Sequence, residues 1–146
     1  MADLAAVRNA LAATITANTN INGQPLPAVG YLPGQVNPPM AIVAPQPGQM
    51  IVFDTLDGGS AIPGTVTYHL RVVLLVAYGE DASTQAALDL MLSTDEAGSV
   101  INAITQHSRL DGSVHYAVVT TAHGYGLRLW NDVQYFGAEL LVSVAA

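Results

Sequence analysis

The sequence contains no cysteine and no lysine, and each absence excludes some chemistry. Without cysteine, the chain cannot form a disulfide, a thiolate metal site or a cysteine nucleophile. Without lysine, its basic side chains are four arginines scattered along the sequence, against eleven acidic residues and a net charge of −7. A surface that binds nucleic acid tightly needs clustered basic side chains. We therefore expect no tight binding of nucleic acid.

Long hydrophobic runs are also missing. The longest run covers residues 72–78, whereas a membrane-spanning helix needs about 20 apolar residues. The first residues carry Asp3 and Arg8 within their apolar pattern, and no basic stretch precedes an apolar one, as it would in a secretory signal. The sequence thus predicts no contact with a membrane.

Apolar residues are nevertheless abundant, at 51% of the chain. A domain of 146 residues has limited interior in which to bury so many apolar side chains. We infer that other copies of the same chain cover part of this surface, which predicts a homo-oligomer.

The length of the chain predicts one domain over residues 1–146. Leu4, Val7, Leu11 and Ile15 form one stripe of a helix over 3–16. Seven of the eight prolines lie within 24–48 and restrict that part to short extended pieces, at 28–32 and 40–44. Further strands are predicted over 50–55, 65–78, 114–122 and 133–145. The last two strands are joined through 124–126 and 131–132. A second helix is predicted over 81–92.

The start of a third helix has two possible positions. Ser93 and Glu96 have the spacing of a capping box, whereas Gly98 and Ser99 offer a later start. In either case the strands are grouped and the helices are clustered. This order predicts an α+β fold with a mainly antiparallel sheet and helices packed on one face.

Several residues are candidates for contacts between subunits. In the 65–78 strand, the even positions are apolar throughout, and the odd positions become apolar at Val73 and Leu75. That second face must be covered by the same subunit or by a neighbour. Gly58 and Gly59 lie in a polar loop that a partner could order. Tyr125 and Trp130 lie in or near a connection, and their residue types are favoured at interfaces.

The sequence predicts no catalytic, cofactor-binding or metal-binding residue. His115 and His123 are eight residues apart on an expected strand, too far to share one ion. Asp54 and Asp57 lack the regular alternation and closing glutamate of a calcium loop. Ser60 lacks the second glycine of a nucleophile elbow. We therefore expect no enzymatic activity.

Five segments, spread over nearly the whole chain, resemble one protein family. They are MADLAAVRNAL (1–11), YLPGQVNPPMAIVAP (31–45), YHLRVVLLVAYGEDASTQAALD (68–89), GSVINAI (98–104) and YFGAELLVSV (135–144). The sequence resembles the tail terminator proteins of phages with long non-contractile tails, especially those that infect actinobacteria. The most specific piece is QVNPP followed by a small apolar strand.

The resemblance implies a structural virion protein without enzymatic activity or cofactor. Such a subunit forms a ring, expected to be a hexamer, at the head-proximal end of the tail and is assembled in the host cytoplasm. The ring ends polymerisation of the tail tube protein and binds the head-tail connector or stopper protein, while DNA passes through without specific binding. The alternatives are a head-completion or stopper protein, a tail-tube subunit, and a small ligand-binding domain or enzyme whose histidines and aspartates share one pocket.

Overall fold

A computed structural model describes residues 3–21, 23–48, 50–53, 66–79, 82–94 and 98–146. The described residues form three helices and six strands. The helices are α1 (Leu4–Asn18), α2 (Ala82–Met91) and α3 (Val100–Gln106), and the strands are β1 (Ala28–Val29), β2 (Met40–Pro45), β3 (Ile51–Phe53), β4 (Val66–Ala77), β5 (Tyr116–Trp130) and β6 (Val133–Ala145). No helix among them is both long enough and apolar enough to span a bilayer.

The strands form one sheet in the order β1-β2-β4-β6-β5, and β3 also pairs with β4. Only the short β1–β2 pair is parallel, and every other pair is antiparallel. The sheet is mainly antiparallel because β5 and β6 form a hairpin and β6 pairs along nearly the whole of β4. The fold is therefore a single α+β domain, which confirms the predicted fold class.

All three helices pack on one face of the sheet, as predicted. Val7, Leu11 and Ile15 of α1 are fully buried against the apolar residues of β2 and β4. The helix begins where predicted because the Asp3 side chain accepts a hydrogen bond from the backbone N–H of Ala6, at 2.7 Å. The periodicity of the first segment therefore sets both the helix and the face that it buries.

The opposite face of β4 has a core of its own, built without a neighbouring subunit. Val73 and Leu75 are 2% and 0% exposed, packed with Ile42, Val36 and Tyr135. The cover comes from the proline-rich segment 33–36, which crosses this end of the sheet. We call the face of the sheet away from the helices the open face. One half of it is covered by residues 33–36, and no described element covers the other half.

The structure decides one boundary that the sequence left open and corrects another. Of the two possible starts of α3, the later one is right, because Ser99 is the N-cap and its Oγ accepts from the backbone N–H of Asn102 at 2.9 Å. Residues 124–126 are not a connection but part of β5, which runs on to Trp130. The glycines there bend the strand without ending it, because β6 continues to pair on the far side of the bend.

Candidate assembly surface

Exposed apolar side chains are concentrated on the β5–β6 hairpin. Ten large hydrophobic residues of the described part are exposed, and six of them belong to this hairpin: Tyr116, Val118, Tyr125, Leu127, Leu129 and Val133. They lie on both faces of the hairpin, with Tyr116 and Val118 on one face and Leu127 and Leu129 on the other. Groups of exposed apolar residues mark interaction sites more often than isolated exposed residues do. The hairpin is therefore the candidate assembly surface.

The hairpin is exposed because β5 is an edge strand. Among the described residues, no strand pairs with the outer edge of β5. Ala117 near its start donates its backbone N–H to the carbonyl of Ser108, which lies outside the sheet. Edge strands are protected by charged side chains, proline, bulges or inward-pointing charges. Strand β5 has no lysine or proline, and its devices are two bulges and one charged side chain, Arg128, which turns inward to an ion pair.

On the helix side, the tip of the hairpin carries an apolar patch. Leu127 and Leu129 are 60% and 69% exposed, and Tyr78, just past the end of β4, is 48% exposed. Strand β6 lies between them, with Phe136 and Gln134 opposite the two leucines. The ring of Tyr78 packs on Phe136 with 5.2 Å between ring centroids. We call Tyr78, Leu127 and Leu129 the tip patch. It has the composition of an interface core, with no charged side chain among its members.

The second bulge lies between His123 and Gly126 and directs Tyr125 towards the helices. Its hydroxyl donates to Asp89 Oδ1 of α2 at 2.8 Å. The pKa of Tyr125 is raised above its ordinary value, first because this hydrogen bond requires the protonated phenol and then because of burial and the charge of Asp89. The bond ties the bent edge strand to α2.

On the open face, three basic side chains converge on one carboxylate. Arg71 Nη1 and Arg128 Nη1 lie 3.2 Å and 2.9 Å from Oε1 of Glu139, and His123 Nε2 lies 3.4 Å from Oε2. The Glu139 side chain is only 11% exposed. We call these four residues the Glu139 cluster. They meet because Glu139 of β6 lies opposite His123 of β5, and Arg71 reaches it diagonally from the position opposite Leu141. Arg128 lies opposite Tyr135 and reaches Glu139 along the strand, past Gly137.

Two glycines give Arg128 its path to Glu139. A Cβ at Gly137 would overlap the carbonyl oxygen of Leu74 and lie 3.0 Å from Cδ of Arg128. A Cβ at Gly124, which has a φ of +72°, would overlap the guanidinium itself. The chain therefore keeps both positions free of side chains where the arginine crosses the sheet.

The Glu139 cluster brings together two of the four arginines that are scattered along the sequence. Arg71 and Arg128 come together only through the pairing of β4, β6 and β5. The two arginines and one glutamate of the cluster sum to a formal charge of +1, on a chain of net charge −7. The molecule thus carries a small positive area on an otherwise acidic chain.

The predicted contact residues lie in different environments. Val73 and Leu75 are inside the subunit, so their side chains form no free surface in this conformation, and this corrects the expectation that they face a neighbour. Gly58 and Gly59 lie outside the described residues. Tyr125 is exposed on the bent edge. Trp130 is half-buried, and its Nε1–H donates to the carbonyl of Pro33 at 2.8 Å, which holds the covering segment in place.

Within the described ranges, no group of three or more His, Asp or Glu side chains has the geometry to hold a metal ion. His115 is exposed, whereas His123 belongs to the Glu139 cluster. Sequence reasoning missed Glu139. The available signal was a single acidic residue within the apolar run 136–142, at a position whose parity places it on the open face.

Neither a scan against models of protein families nor a comparison with curated protein sequences found a match for this chain.

Proposed function

We propose that this chain is a structural subunit of a phage tail that associates with copies of itself into a closed ring, which caps the tail tube and joins it to the head. The observation that carries the proposal is the concentration of exposed apolar side chains on one edge hairpin of a charged, otherwise well-packed domain. The assignment of this ring to a phage tail and its tube rests on the segments that resemble tail terminators.

The charge distribution supports association between unlike surfaces. Two copies meeting cluster to cluster would bring their excess positive charges together, which disfavours a symmetric contact. A contact between two different surface areas repeats from copy to copy and closes into a ring when its rotation closes. A tail-tube subunit could use the same surfaces, but its assembly would continue instead of closing.

Assembly of the purified full-length chain, alone and with the tube protein of the same phage, tests the proposal. Native mass spectrometry and light scattering are expected to give one closed species, a hexamer by the resemblance, whose mass stays constant as concentration rises. Open-ended growth would indicate a tube subunit instead. A chain that remains monomeric at high concentration and on tubes would refute the proposal.

A matched pair of variants tests whether the hairpin makes the contact between copies. Leu129→Ser removes the most exposed side chain of the tip patch, whereas Met50→Ser makes a similar change at an exposed residue (43%) beside β3, far along the sheet. We expect Leu129→Ser to weaken assembly and Met50→Ser to leave it intact. Equal effects of the two variants would argue against the hairpin as the contact.

A further inference from the structure

The uncovered half of the open face combines apolar and positively charged side chains. Tyr116 and Val118 are 50% and 46% exposed, and Leu141 lies half-buried between Val118 and the Glu139 cluster on the same face. None of the described elements crosses this half of the sheet, whereas segment 33–36 covers the other half. Tyrosine and arginine around an apolar centre are the residue types enriched in protein interfaces.

The donors in the Glu139 cluster outnumber its acceptors. Each guanidinium carries five N–H donors, and the two arginines share a carboxylate that also faces His123. The Arg71 and Arg128 side chains are 27% and 24% exposed, so part of each remains within reach of a second molecule. A further carboxylate would be matched in charge and in hydrogen bonding there.

We propose that a second copy of this chain docks on the open face and places one of its carboxylates against Arg71 and Arg128. This inference rests on the proposed self-association and assigns the open face as one of the two unlike surfaces that make it. The eleven acidic residues of each copy supply the complementary charge. Because a facing Glu139 cluster would repel its like, the acidic group comes from a different area of the second copy, and the contact runs head to tail.

The same observations argue against nucleic acid as the occupant. Binding to phosphates requires several neutralising contacts, and the cluster offers one excess charge on a chain of net charge −7. The apolar side chains of Tyr116 and Val118 beside it suit a protein surface.

The absence of lysine allows a direct test by zero-length cross-linking. Arg71→Lys introduces the only side-chain amine of the chain, and a carbodiimide joins an amine only to a carboxylate that touches it. We expect cross-linked dimers and higher multimers on a denaturing gel, and mass spectrometry of the linked peptides identifies the partner carboxylate. Arg109→Lys is the matched control at an exposed arginine outside the Glu139 cluster, and it should give no ladder.

Self-association is measured independently on Arg71→Gln, because the introduced amine could be captured by Glu139 of its own chain. This variant removes the excess charge while Glu139 keeps Arg128. We expect the dissociation constant to rise about thirtyfold, which is typical when one partner of an interfacial charge pair is truncated. Arg109→Gln makes the same change in net charge and should leave the constant unchanged. Circular dichroism verifies the fold of both variants.

The outcomes separate this inference from the proposed function. A wild-type chain that never assembles refutes both. If the wild type assembles, but Arg71→Lys gives no specific ladder and Arg71→Gln binds as tightly as the control, the open face is not the contact and only this inference falls. Loss of binding to a short DNA duplex in Arg71→Gln, with self-association unchanged, would also overturn it in favour of nucleic acid.

Discussion

Substitution of the carboxylate at the centre of the Glu139 cluster is the sharpest test of the structure. Glu139→Gln preserves the size of the side chain and removes its charge, so the fit within β6 is unchanged. Arg71 and Arg128 then lose the one anion that both contact. Because both Nη1 atoms lie against the same oxygen, the guanidinium groups are close together and repel each other once that anion is gone.

The expected loss of stability follows from the burial of the three side chains. Removing one partner of a fully buried ion pair costs about 3–5 kcal/mol, whereas an exposed pair contributes about 0.2–1 kcal/mol. Glu139 is 11% exposed and the arginines about a quarter exposed, so the cluster lies between these limits. We expect Glu139→Gln to lower the free energy of unfolding by about 2–3 kcal/mol, and Tm by roughly 5–10 °C.

Urea denaturation followed by circular dichroism measures this loss. Asp111→Asn is the control, because it also removes one acidic charge at an exposed position, and asparagine tolerates the left-handed backbone there. Adding Arg71→Gln to Glu139→Gln should cost less than the sum of the single changes, since it removes one of the two repelling charges. A Glu139→Gln variant within about 0.5 kcal/mol of wild type, the range of ordinary surface substitutions, would refute the reasoning.

Three further predictions follow from local geometry. Gly137→Ala should lower the free energy of unfolding in urea by about 1–3 kcal/mol, because the added Cβ would overlap the backbone oxygen of Leu74, which cannot easily move. An unchanged urea midpoint would show that β4 and β6 are less closely apposed. Ser99→Ala should cost about 1–2 kcal/mol, measured in the same way, through loss of the cap of α3. Asp89→Ala should lower the pKa of Tyr125 towards the ordinary value of 10.0, as measured by NMR of labelled tyrosine. In the wild type, the hydrogen bond between the phenol and Asp89 is fully present below pH 10.0 and is lost as the pH rises through the raised pKa.

The structure settles one choice that the sequence left open and corrects one prediction. The sequence offers two serines as the cap of the third helix, and the structure shows that Ser99 caps it. The glycines at 124 and 126 resemble a turn, yet they are tolerated within β5 because β6 pairs on both sides of the bulge. Local sequence signals do not include the neighbouring strand, so they could not show that β5 continues through these glycines.

The sequence by itself determined the elements whose cause is local. The apolar stripe of α1, its Asp3 cap and the apolar even positions of β4 specify a helix, its start and one buried sheet face, because side-chain period and capping depend on residues a few positions apart. Tertiary structure alone decided that residues 33–36 cover Val73 and Leu75 and that Arg71 meets Arg128 on Glu139. Those contacts join residues far apart in the chain, and their positions are set by strand order and register, which no short stretch of sequence encodes.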